Sequence, residues 1–382
     1  MTLNRRTLLV LTAALVTAAS AHAQQTINLA TLAELSGTGA SAGTNFKNGV
    51  ELAIKEINAA GGILGKKVEN SVMDTQSNPG VAKGLAQKAV DQDVFAVFGP
   101  VFSGSILVSM AEIRRAEIPN FTGGEASAIT QQGNPYIFRT SLTQANAMPK
   151  VARYIDGELK AKTAAVIYIN NDLGKGGNEA IVKALEGRHV KVVAAISTDA
   201  GQLDFSAPVL KAKQANPDVI FVYTNEEESA RALRELRKQG WTKPIVGEST
   251  LTGQKVIDLA GEAANGGIAH VGLTADAPNP LVQAFRARFE KEYKYTPDHN
   301  AIKGYTGLYI LKAGIEKVGK LDRVAVAKAL HGLHIATAQQ PGVLMDVTVD
   351  ANGDLDRESF LVEVKNGKQQ VKDVLSPLAG KQ

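Results

Sequence analysis

The sequence predicts an α/β protein made of two similar units, each a parallel sheet covered by helices. Strand-like and helix-like segments alternate strictly, which is the pattern parallel sheets require. The alternation runs over roughly 26–140 and restarts over roughly 160–273. Length agrees, because 382 residues less an expected 23-residue leader leave 359, more than one hydrophobic core usually serves.

Each element has a local reason. TINLATLAE (26–34) alternates as a strand. NFKNGVELAIKEINAAGG sets Phe46, Val50, Ala53, Ile54 and Ile57 on one helical face, and Gly61-Gly62 stops it. KKVENSVMD, DVFAVFG, EIPNFT and NPYIFRT read as further strands with helical pieces between most of them. A helix beginning near Gln144 separates the two runs. In the second run TAAVIYIN, VKVVAAIS, DVIFVYT, KPIVGE and GGIAHVGL are strands, while NEAIVKALEG and EESARALRELRKQG are helices. Helical segments follow at 281–294, 298–317 and 323–333, then a strand-rich tail at 342–365 that must return to one or both units.

The start of the chain reads as an export signal. Arg5 and Arg6 precede an apolar run from Leu8 to about Ala19, and Ala21-His22-Ala23 offers an A-x-A cleavage site. The run is too short to span a bilayer comfortably. Cleavage after Ala23 lowers the net charge from +4 to +2, since Arg5 and Arg6 are the charged residues removed. That balance, with no basic stripe, excludes a nucleic-acid binder. The chain has no cysteine, which excludes disulfides, thiolate metal sites and cysteine nucleophiles.

Three motifs bear on chemistry. In VFAVFGPVFSGS (94–105) a buried strand runs into a helix start at Ser103, placing free N–H groups and a hydroxyl at one point, suited to an anion. Gly37-Thr38-Gly39-Ala40-Ser41-Ala42 fits G-x-G-x-x-A, with Asp74 ending the next strand as a dinucleotide fold would have it. However, Asp74 lies 32 residues past Ala42 (74 minus 42), not roughly 20. A small-residue loop that lets the chain approach a cleft is the preferred reading, and a periplasmic NAD(P)-dependent oxidoreductase using this loop is the alternative. Gly39-Ala40-Ser41-Ala42-Gly43 matches G-x-S-x-G, yet none of His189, His270, His299, His331 and His334 has a context suggesting a catalytic base. His331 and His334 read as a solvated helix end.

Together, NFKNGVELAIKEINAAGGILGKKV, DTQSNPGVAKGLAQKAV, VFGPVFSGS, IPNFTGGEASAIT, FRTSLTQ, IYINNDLGKGG and FSAPVLKAKQANPDVIFV resemble the type I periplasmic binding proteins for branched-chain amino acids. The resemblance implies two doubly wound Rossmann-like lobes joined by three hinge crossovers, lobe 1 at 26–141 plus 275–345 and lobe 2 at 142–274 plus 346–382. It implies a ligand in the cleft between them, whose carboxylate meets the segment Phe102-Ser103-Gly104. Thr122-Gly123-Gly124-Glu125 would complete that half.

The departures carry the rest. Where the family has a hydroxyl this chain has Glu125, and the family's enclosing aromatics match Ala42, Leu173 and about Asn225. The family's acid that pairs with the ligand's ammonium falls near Ser249, with Glu248 beside it. Asn225 and Glu226 end a strand and can reach the cleft, although Glu226-Glu227-Glu228 also suits a helix start. Glu125 is expected to face the cleft and to need a partner, which a ligand ammonium or amide could supply. Trp241 is expected to pack. The sequence thus predicts a non-enzymatic, monomeric, periplasmic solute-binding protein of an ABC importer. It would take an amino acid or related carboxylate, need no cofactor and dock on a permease in the inner membrane. The same fold also serves sensing.

Overall fold

The computed structural model describes residues 26–377, so the expected leader at 1–23 lies outside the described residues. The first sheet has strands β1 (Ile27–Ala33), β2 (Val68–Asp74), β3 (Ala96–Phe98), β4 (Asn120–Thr122) and β5 (Ile137–Arg139), ordered β2-β1-β3-β4-β5. All its pairings are parallel. Its core strands are apolar on both faces, as a sheet covered on both sides requires. Phe98, Phe121 and Phe138 stack across three neighbouring strands, with ring centroids 5.1 and 5.3 Å apart. Burying each of these rings stabilises the lobe by roughly 2 kcal/mol.

Helices α1 (Ala40–Ala59), α2 (Pro79–Asp91) and α3 (Ser103–Arg115) connect these strands. Asn78 caps α2 by accepting from the N–H of Gly80 at 2.8 Å, with Pro79 at the first helical position. Helix α1 begins at Ala40, earlier than the apolar stripe from Phe46 reveals.

The second run supplies α4 (Gln144–Gly157), β6 (Thr163–Ile169), α5 (Asp172–Glu186), β7 (Lys191–Thr198), α6 (Ser206–Gln214), β8 (Val219–Tyr223), α7 (Glu226–Lys238), β9 (Ile245–Glu248), α8 (Gln254–Ala260) and β10 (Gly267–Val271). Helix α5 starts six residues before the expected NEAIVKALEG, because Asn171 caps it by accepting from Gly174 N–H at 2.9 Å. Trp241 is buried in this unit's core.

The chain then returns to the first lobe as α9 (Pro280–Tyr293), α10 (His299–Val318) and α11 (Arg323–Leu330). Helix α10 lies against α1 at a glycine-to-backbone crossing. A Cβ at Gly49 would sit 1.9 Å from the Ala301 carbonyl oxygen, and one at Gly304 would sit 2.1 Å from that of Phe46. Only glycine permits this approach, and it fixes the rotation of α10, and with it the place of Lys303.

A small antiparallel sheet follows, β11 (His334–Ile335), β12 (Val347–Val349) and β13 (Leu355–Asp356). The hairpin β14 (Ser359–Lys365) and β15 (Lys368–Leu375) then joins the second sheet, ordered β15-β14-β10-β9-β8-β6-β7. This edge is antiparallel, so the second sheet is mixed rather than wholly parallel. The chain crosses between the lobes three times, after β5, after β10 and after β13. Only His331 stands at the helix end, as the C-cap of α11, half-buried on Phe138 with its Nε2 donating to the Pro135 carbonyl at 2.9 Å; exposed His334 lies in β11.

Candidate ligand-binding cleft

Both sheets aim the carboxyl ends of their parallel strands, and so the first turns of the following helices, at one interlobe cavity of about 280 Å³. Of the ten candidate residues, Phe102, Ser103, Gly104, Gly124, Glu125, Leu173, Asn225 and Glu226 line this cavity. Glu248 and Ser249 do not. They border a hollow of about 10 Å³ on the hinge side, which shares Glu125, His299 and Lys303 with the main cavity.

Glu34 builds the first wall. It is wholly buried at the end of β1, and its carboxylate accepts the N–H groups of Val101 and Phe102, each at 3.1 Å. Burial raises its pKa above the usual carboxylate value, and those two hydrogen bonds work against the rise. Two of the N–H groups near Ser103 are therefore already used. The first-turn N–H groups of Ser103, Gly104 and Ser105 have no acceptor among the described residues, and Phe102 offers no side-chain cap. Ser103 Oγ accepts the Ala126 N–H at 3.3 Å, leaving its own proton to donate. The anion-ready helix start exists, although narrower than the sequence suggested.

Arg139 shapes the second segment. It is fully buried, and Nε meets Asp354 Oδ1 at 2.6 Å. Its other nitrogens donate to the carbonyls of Gly124 and Ala126. These bonds hold Gly124 and Glu125 at the cavity edge.

The partner of Glu125 comes from the protein, not from a ligand. Lys303 Nζ lies 3.1 Å from Glu125 Oε1 and donates to the Gly123 carbonyl at 3.2 Å. From the opposite lobe, Tyr223 donates to Glu125 Oε2 at 3.3 Å and accepts from Gln144 Nε2 at 3.0 Å. Burial raises the Glu125 pKa, while Lys303 opposes the rise and Glu248 adds to it. Glu248 is also satisfied internally, by His270 Nδ1 at 2.6 Å and by the Ser249 N–H. Burial disfavours its charge, but the bond and charge of His270, with the Ser249 donors, hold its pKa below the usual value.

Glu226 differs. It opens α7, and its carboxylate accepts its own backbone N–H and meets no other residue's donor or cation among the described residues. Burial pushes its carboxyl up to about 7, with Asp298 and Glu228 adding repulsion and Lys303 opposing it. His299, at the start of α10, has its pKa pushed well below the usual value by burial and by Lys303.

The 37–43 stretch brings the chain to the cleft, with Thr38 and Ala42 in the cavity wall. A Cβ at Gly43 would lie 2.1 Å from the Glu34 carbonyl oxygen, so the small residues let α1 close on β1. Asp74 accepts from the N–H groups of Leu35 and Ser36 at 2.9 and 3.2 Å and from Ser36 Oγ at 2.6 Å. It holds that loop, and its oxygens are taken up by it. Ser41 lies within α1, and its carbonyl accepts Asn45 Nδ2, so it forms no nucleophile elbow.

The sequence profile described as periplasmic binding protein matches residues 26–369. The chain belongs to that family.

Among other periplasmic binding proteins, it is 30% identical over 353 residues to the Leu/Ile/Val-binding protein homolog 3 of Brucella melitensis, covering 90% of this chain and 92% of that one. It is 27% identical to the leucine-, isoleucine-, valine-, threonine- and alanine-binding protein of Pseudomonas aeruginosa, covering 89% and 90%. The isoleucine complex of the branched-chain amino acid substrate-binding protein LivJ from Streptococcus pneumoniae superposes with a TM-score of 0.83 at 25% identity, covering 92% and 99%. A Rhodopseudomonas palustris solute-binding protein holding benzoate also reaches 0.83, at 22% identity over 92% and 97%, and shares the fold.

Sequence reasoning missed Lys303 and His299 in this periplasmic binding protein's cleft, and Tyr223 behind Glu125. Lys303 had a signal: it interrupts an otherwise buried helical face between Ile302 and Tyr305, where an unpaired ammonium would be costly.

Proposed function

We propose that this chain is an exported solute-binding protein of an ABC importer. It takes a small carboxylate, with amino acids first among them, in the cleft between its lobes and delivers it to a permease in the inner membrane. The observation that carries the reading is the free first turn of α3 with the Ser103 hydroxyl, opening into a cavity walled by both lobes. A helix start of this kind favours a carboxylate through its N–H groups and its dipole. The basic, apolar A-x-A start of the chain supports export to the periplasm. The names of the similar proteins support an amino acid.

The lobes are taken as about 26–141 plus the segment from 275, and 142–274 plus the tail. Residues 346–356 go with the first lobe, because Asp354 pairs with Arg139 of β5.

A thermal-shift screen of protein unfolded and refolded to strip ligand tests the reading. A ligand at about a hundred times its dissociation constant adds roughly 2.7 kcal/mol, enough to raise the midpoint by several degrees. A shift with amino acids or another carboxylate class is the expected result. No shift with any carboxylate, or a shift with NAD(P) alone, would overturn it.

A further inference from the structure

Four acids stand at or beside the cavity: Glu125, Glu248, Glu226 and Asp172, the last exposed at its mouth. The first is held by Lys303 at 3.1 Å and the second by His270 at 2.6 Å. Glu226 lines the cavity half-buried, and its carboxylate meets only its own backbone N–H among the described residues. Beside it, Asn225 is only 8% exposed, lines the same cavity, and has no hydrogen bond to its carboxamide among the described residues. Neither polar group is walled off from the cavity, so both are open to a partner that a ligand would bring.

The charge balance of the cavity agrees. Its lining carboxylates are Glu125, Asp172 and Glu226, against the single ammonium of Lys303. An anion with no positive group would add to an uncompensated negative charge in a partly desolvated space.

We infer that Glu226, with Asn225, is the seat for a cationic group on the ligand, an ammonium or guanidinium. It would thereby make this cleft select amine-bearing carboxylates over carboxylates that carry no positive charge. The cation acceptor thus sits at the start of α7 and not at the Glu248-Ser249 position that the resemblance nominated. The inference rests on the carboxylate reading above.

Titration calorimetry on stripped protein with L-leucine, L-lysine, benzoate and cadaverine tests it, using wild type, Glu226→Gln and Glu226→Asp, each first checked for a cooperative melt. The expected result is binding of at least one of the two amino acids, at least tenfold weaker in Glu226→Gln and largely retained in Glu226→Asp, with benzoate at least tenfold weaker than that amino acid. Benzoate binding as tightly as either amino acid, or affinity unchanged within twofold in Glu226→Gln, overturns the inference and leaves the carboxylate reading standing. Cadaverine binding without any carboxylate, and lost in Glu226→Gln, keeps the inference and sinks the carboxylate reading. Silence from all four probes sinks both.

Discussion

The Glu125 carboxylate and the Lys303 ammonium meet at 3.1 Å in a nearly closed environment, with side-chain exposures of 13% and 5%. Removing the cation leaves a desolvated carboxylate, the costly way to break such a pair. Lys303→Met should lower unfolding free energy by about 3 kcal/mol at pH 8, and by less at pH 5, where Glu125, with its raised pKa, more readily takes a proton. Adding Glu125→Gln should restore most of the loss. Urea unfolding at both pH values reads this, and a loss below about 0.5 kcal/mol at pH 8 would contradict the pairing.

Glu34→Ala removes the acceptor for the N–H groups of Val101 and Phe102. The expected cost is about 2–4 kcal/mol, from two buried donors and a void. Hydrogen exchange at Val101 and Phe102 should quicken far more than at the Phe121 amide in the same sheet. Equal protection at all three sites would show that Glu34 does not hold the loop.

Gly177 faces the Tyr223 ring, and a Cβ there would lie 2.1 Å from a ring carbon. Gly177→Ala should force the ring aside, cost about 1–3 kcal/mol, and pull the hydroxyl from Glu125 and Gln144. Comparison with Tyr223→Phe separates the two effects: the Phe variant loses the hydroxyl contacts without the clash and should be the milder change. If Tyr223→Phe is the more damaging, the steric argument fails.

Glu226 has a folded pKa of about 7 against 4.5 for the free group. A raised carboxyl pKa means that the folded state holds the proton more tightly. The stabilisation is complete below about 4.5 and is lost as pH climbs through about 7. Glu226→Gln should match wild type near pH 4.5 and exceed it by about 2 kcal/mol at pH 8.5. Melting curves across that range check this, and a difference that shrinks with rising pH would reverse the assignment.

The sheets and their covering helices were legible because buried parallel strands show as apolar runs and helices as stripes. Strand limits at β1, β6 and β8 follow directly from such runs. The mixed edge of the second sheet was not legible, since β15 (KQQVKDVL) is largely exposed and shows no apolar run. The cleft was partly legible. Ser103, Gly104, Glu125, Asn225 and Glu226 stand at strand-to-helix junctions, which the fold class alone brings to one mouth. Which acids are already paired was not legible, because Lys303 and His270 lie 178 and 22 residues from their partners in sequence. Only the α1–α10 crossing and the β9–β10 pairing bring them together.

Across the mouth of the cleft, a Cβ placed on Gly104 would lie 3.2 Å from Asp172 Oδ2, so the two lips all but touch. The chain contains no cysteine. A thiol introduced in place of the exposed Asp172 would therefore be the only one in the molecule, and a solvent-sensitive dye attached there would take up its label without competition. As the lips part and meet, the dye would pass between water and protein, turning the cleft into an optical gauge of solute concentration.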